Sequence, residues 1–133
     1  MNQRRLSTIA AISGLYDLLV GAGLLLARDQ IAAVFGVPPP VPVIHSDLNG
    51  LFLVCIAIGY LLPYRDPIQY RAYLWLMGPM LKGAGALFFI ADHFVRHSPA
   101  SFLLFAAGDG SLALLTLWAL LITPAGRAAD TRG

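Results

Sequence analysis

The stretch GPMLKGAGALFFIAD, residues 78–92, decides how the whole chain is read. It is apolar enough for a bilayer interior, yet it holds Lys82, the only lysine among 133 residues, about one helical turn after a Gly-Pro pair. A charge at the bilayer centre costs at least ~2.5 kcal/mol, so a lysine there must face protein or water. The segment therefore predicts one member of a transmembrane helix bundle.

The rest of the chain agrees. Apolar residues make up 58% and charged residues only 12%, far from the balance of soluble domains. Four windows are long enough for a hydrocarbon core of about 30 Å: residues 6–27, 48–64, 73–91 and 101–122. The expectation is an all-α, four-helix transmembrane bundle forming one integral membrane domain over residues 1–133. The first window follows Arg4 and Arg5 as a signal peptide would. It is nevertheless long, carries Asp17 and lacks a small-x-small cleavage site, so it is taken as a span.

Cys55 is the sole cysteine, which excludes an internal disulfide, a CxxC pair and the thiol-based class of four-helix membrane oxidoreductases. Arg4, Arg5, Arg65, Arg71, Arg127 and Arg132 fall at one end of the spans, and Arg28 and Arg96 at the other. The positive-inside rule then places both termini in the cytoplasm. No basic patch with interleaved aromatics is present, so no nucleic-acid partner is expected. The partners expected are the lipid bilayer and a membrane protein or a second copy of the chain. The sequence identifies no particular cofactor.

Between the first two windows, Ile31, Ala32, Val34 and Phe35 form a short segment expected to lie along the membrane interface until the prolines 38–40 stop it. Trp75, Trp118, Tyr64, Tyr70 and Tyr73 cluster at the arginine-rich end and predict interfacial anchors.

The two halves also look alike. VGAGLLLARD at 20–29 resembles KGAGALFFIAD at 82–92, offset by 62 residues through the shared Gly-Ala-Gly. LNGLFL at 48–53 resembles GDGSLA at 108–113, offset by 60. Each half would be a helical hairpin, the two related by an axis along the membrane normal. This pattern, with an acidic first helix and an Asp-Gly fourth helix, resembles small four-span bacterial membrane proteins. The resemblance implies a bacterial inner-membrane setting and no particular activity.

Three ionisable residues lie deep in the windows: Asp17, Lys82 and Asp109. Each has small residues three or four positions away on its own helix face: Gly14 and Gly21, Gly78 and Gly85, Ala106 and Ala113. Counting inward at ~1.5 Å per residue puts Asp17 and Lys82 roughly 15 Å deep, with Asp109 within about one turn of that level. The three are expected to meet, with Asn49 above them. Two carboxylates then share one ammonium. If all three are ionised a net negative charge stays buried, which a proton or a recruited cation relieves. Pro79 cannot donate to the carbonyl of Trp75 and predicts a kink beside the lysine.

A second constellation lies at the opposite end: His45, Asp47, Asp92, His93 and His97. The i,i+4 histidines would share a helix face suited to Zn or Cu. The alternative is ordinary interfacial polarity, with Arg28 paired to Asp29 and Arg96 to Asp92.

Three functions compete. The first is a non-enzymatic membrane subunit or scaffold ordered by the Asp-Lys-Asp network. The second is a proton- or cation-coupled small transporter using that network. The third is a membrane enzyme acting through Asp92, His93 and His97, for which no nucleophile-base pattern supplies a reaction.

Overall fold

Runs of Leu, Ala, Ile and Gly that must satisfy their own backbone groups away from water have one local solution, the helix. In the computed structural model, which describes residues 2–126, these runs form four long helices and a short one. They are α1 (Asn2–Leu26), α2 (Arg28–Phe35), α3 (Val43–Arg65), α4 (Arg71–Arg96) and α5 (Leu103–Ile122), the last entered through a 3₁₀ turn, Ala100–Phe102. Strands are absent among the described residues. Arg127 and Arg132 lie outside them.

All four expected spans are present, as α1, α3, α4 and α5, each long and apolar enough to cross a membrane. The helices overrun the apolar windows because backbone hydrogen bonding does not stop where hydropathy does. His45 and Asp47 sit in the first turn or two of α3, and Asp92 and His93 in the last turns of α4. The outside of the bundle is aliphatic and aromatic: Leu26, Phe88, Val95, Leu104 and Leu121 are all more than two-thirds exposed. In water such a surface would be a large aggregation liability; against lipid tails it costs nothing.

Small residues set how closely the helices cross. A Cβ on Gly21 would sit 2.8 Å from the Gly50 carbonyl oxygen and 2.9 Å from Leu53 Cβ, so α1 and α3 meet backbone to backbone. Lower down the same seam, Gly14 lies under Tyr60 and Ala57. Gly78 of α4 plays the same part against Thr116 of α5, where a Cβ would meet Thr116 Cγ2 at 2.6 Å. Between α1 and α5, Asn2 donates to the Ile122 carbonyl at 2.9 Å, and Tyr16 lies over Gly108.

The fourth seam is different. Helices α3 and α4 meet near the chain termini, where the Tyr73 hydroxyl donates to the Ile56 carbonyl at 2.5 Å and Tyr60 stands edge-on to Tyr73. Towards the loop end they part. The tightest core, Leu6, Ile9, Ala10, Tyr60, Leu74 and Leu120, therefore fills the terminal half, and the loop half keeps a cavity.

Three local expectations change. Tyr73 is no interfacial anchor, because its hydroxyl turns inward to Ile56, whereas Tyr64, Trp75 and Trp118 are well exposed and Arg5 lies 5.7 Å over the Trp118 ring. Helix α2 ends before the prolines, at Gly36 in the left-handed conformation (φ 70°). The Gly36 and Val37 amides bond back to Ala33 and Ala32, the pattern that satisfies a helix's last carbonyls. Only part of α2 faces outward: Val34 is exposed, but Phe35 stacks on Phe105 and Phe102, at 4.9 and 5.9 Å between ring centroids. Finally, Pro79 is accommodated in a π-helical stretch, Leu76–Lys82. An α-helical proline leaves its i−4 carbonyl without a donor and crowds it; the wider π turn relieves that crowding.

Candidate functional site

The π stretch ends on Lys82, and both Gly78 and Lys82 are buried on its inner side. The Lys82 ammonium donates to Asp17 Oδ1 and lies 3.8 Å from Asp109 Oδ1. Side-chain exposure separates the two carboxylates: 1% for Asp17 against 19% for Asp109, with Lys82 at 5%. The three charges meet as the depth arithmetic requires, and Asp17 is the lysine's direct partner. Its second oxygen, Oδ2, is buried without a hydrogen-bond partner.

Tyr16 closes one side of the group. Its ring centre is 5.2 Å from the Lys82 nitrogen, within range of a cation-π attraction, and its hydroxyl lies beside Asp109. Tyr16 is thus held inside the bundle, between two charges and Gly108.

Above the charges lies a cavity of about 390 Å³, within the range of small-molecule sites. Asp17, Lys82 and Asp109 form its polar floor, and Asn49 belongs to its wall on α3. The remaining wall is apolar, with Phe52 from α3, Phe89 from α4 and Phe105 from α5. Phe52 and Leu81, on facing walls, are 57% and 46% exposed, which marks a sideways opening between the diverging helices α3 and α4. At the loop end the cavity is covered by aromatic stacking, Phe89 on Phe105 at 5.4 Å and Phe35 of α2 on Phe105 in turn. Ser101 fixes that cover by donating to the Phe35 carbonyl at 2.7 Å.

No family model, curated protein or solved structure matches this chain. Its chemistry must be argued from the site.

The expected His/Asp constellation does not assemble. Among the described residues no three His, Cys, Asp or Glu side chains come together in a way that could hold a metal ion. Asp47 instead pairs with Arg28 at 2.9 Å, which also corrects the expected Arg28-Asp29 pair. Asp92 accepts from Arg96 at 3.1 Å, the pair foreseen, and also from the Ser98 hydroxyl. His93 Nδ1 is 2.7 Å from the Ser98 carbonyl. His97 leaves the helical register altogether: it is the C-cap of α4 with φ 58°, so the i,i+4 alignment with His93 is lost. His45 stands exposed on α3. These residues organise the loop end.

Sequence reasoning missed two groups. Ser13, one turn below Asp17 on the same face, is fully buried near Tyr60 with its hydroxyl unpartnered, a buried polar position that the i−4 spacing signals. The aromatic walls and their cover gave no signal, because Phe52, Phe89 and Phe105, and Phe35 stacked on Phe105, come from four different helices.

Proposed function

We propose that this chain is a small membrane transporter in which the Asp17-Lys82-Asp109 network exchanges a proton or cation with solute held in the cavity. The observation that carries the reading is the division of labour between the carboxylates. Asp17 is sealed against the lysine, whereas Asp109 remains partly open on a cavity of ligand size. A register-fixing ion pair needs neither the second carboxylate nor the space. With Lys82 serving two carboxylates, the charge balance favours taking up one more positive charge at Asp109.

Two further features support a transporter. A π turn at a proline, beside a buried charge, is the kind of helix interruption found at functional sites in membrane bundles. The contacts also follow the sequence repeat: Gly21 faces Leu53 in the first hairpin, and Gly83 faces Ala113 in the second. Those positions are related by the same offsets of 62 and 60 residues, so we read the halves as repeated hairpins. Arg4, Arg5, Arg65 and Arg71 at the terminal end, against Arg28 and Arg96 at the loop end, support a cytoplasmic location for the termini. The membrane we infer is a bacterial inner membrane, on the span-pattern resemblance.

The scaffold function retains one favourable observation, the near-complete burial of the Asp17-Lys82 pair. Proteoliposomes with an imposed proton gradient separate the two. Transport predicts dissipation of the gradient by the wild type and not by folded D109N, with or without added organic cations. A wild type indistinguishable from empty liposomes, or D109N as active as wild type, rejects transport and leaves the scaffold.

A further inference from the structure

The cavity also specifies the kind of molecule it takes. We propose that it binds an amphipathic organic monocation, a protonated amine on an aryl or short alkyl body, with the ammonium at Asp109 and the body between Phe52, Phe89 and Phe105. The inference rests on the transport reading for its coupling to a proton, but not for the binding itself.

Three features of the site fix the class. First is charge: the floor holds two carboxylates and one ammonium, and Lys82 is committed to Asp17. An anion would face Asp109 and the buried, unpartnered Asp17 Oδ2, so a second cation is the favoured occupant. Second is the wall. Its phenyl faces attract a cation electrostatically and also bury an apolar body, whereas a hydrated metal ion would have to exchange its water for hydrocarbon. Third is access. The opening between α3 and α4 is flanked by exposed Phe52 and Leu81, so it faces the bilayer side of the bundle, from which an amphipathic amine can enter with its body in the lipid.

The size fits as well. A volume of about 390 Å³ holds a one-ring or two-ring amine with a few waters. The groups facing Asp109 are Tyr16 and Asp17 from α1, Lys82 from α4 and the neutral Asn49 from α3. Of these only Lys82 carries positive charge, and it lies 3.8 Å away while donating to Asp17. When the amine arrives as R-NH3⁺ at a protonated Asp109, the carboxyl proton leaves to water and the site's charge is unchanged: one proton out for one cation in.

Gly85 supplies a variant that tests the site without touching its charges. A Cβ there would lie 3.6 Å from Asp109 Oδ2 with nothing nearer, so alanine fits, and a leucine projects into the cavity in front of the carboxylate. The experiment uses the full chain in lipid nanodiscs with 2-phenylethylammonium as the probe. Its neutral and anionic counterparts, 2-phenylethanol and 3-phenylpropionate, are the controls.

The expected result is saturable binding of the amine to wild type and G85A, at least tenfold weaker in G85L and in D109N, with both controls at least tenfold weaker than the amine on wild type. Equal binding of the neutral alcohol, or amine binding unchanged in folded G85L and D109N, overturns the proposal. Should D109N fail to fold, G85L decides alone. Proton release, followed in weakly buffered solution, distinguishes the two readings. Amine binding without release supports this inference and removes proton coupling. Gradient dissipation by the wild type with no amine binding overturns this inference and leaves transport standing.

Discussion

Replacing Lys82 by methionine keeps an unbranched side chain, one heavy atom shorter, and removes its charge, leaving Asp17 alone in a site where it is 1% exposed and one of its oxygens already lacks a partner. Breaking a buried pair on one side costs about 3–5 kcal/mol, which is roughly 10² to 10⁴ in the folding equilibrium. Replacing both members, K82M with D17L, removes the stranded charge along with its partner and should return stability to within about 1–2 kcal/mol of wild type. Asp109 is 3.8 Å from the ammonium, beyond hydrogen-bonding distance, and partly open, so D109N should cost less than K82M. The order of damage, K82M far above the double replacement and D109N, follows from burial alone. Reversible unfolding in mixed micelles, titrated with denaturing detergent and followed by helical circular dichroism, measures the series. If K82M lies within 1 kcal/mol of wild type, or the double replacement is no better than K82M, Asp17 and Lys82 are not the buried pair described above.

Two further outcomes follow from the seams and the exterior. Alanine at Gly21 puts a methyl 2.8 Å from the Gly50 carbonyl, so G21A should force α1 and α3 apart at about 1–3 kcal/mol, whereas G85A, whose methyl meets only Asp109 Oδ2 at an ordinary contact distance of 3.6 Å, should change stability by less than about 0.5 kcal/mol; the same detergent titration compares them. Cys55 lies exposed on α3 within a span. In membranes it should react with an apolar maleimide and resist a charged, impermeant one until detergent is added, and prompt labelling by the impermeant reagent in intact membranes would place that face in water.

The level of the charges was legible in advance because helix rise is fixed: a residue count converts directly to depth, and it put Asp17, Lys82 and Asp109 at one height. Which carboxylate takes the lysine was not, because that depends on helix rotation and crossing distance. Those are set by contacts such as Gly21 on Gly50 and Gly78 on Thr116, between residues far apart in the chain. The histidine cluster failed for a related reason. Spacing four apart aligns side chains only while the helix continues, and His97 is the residue at which α4 stops. Pro79 signals an interruption in the sequence, but a kink and a π turn both accommodate its missing donor, and the structure takes the π turn.

By itself, then, the sequence determined the number of span-length helices and the placing of three charges at one level within them. Those follow from local hydropathy and from the need to satisfy every backbone group outside water. The tertiary structure decided that Asp17 is sealed while Asp109 faces open space. It did so because α3 and α4 are held together at one end by Tyr60, Tyr73 and Ile56 and part at the other, where Phe52, Phe89 and Phe105 from three separate helices line the space over a charged floor.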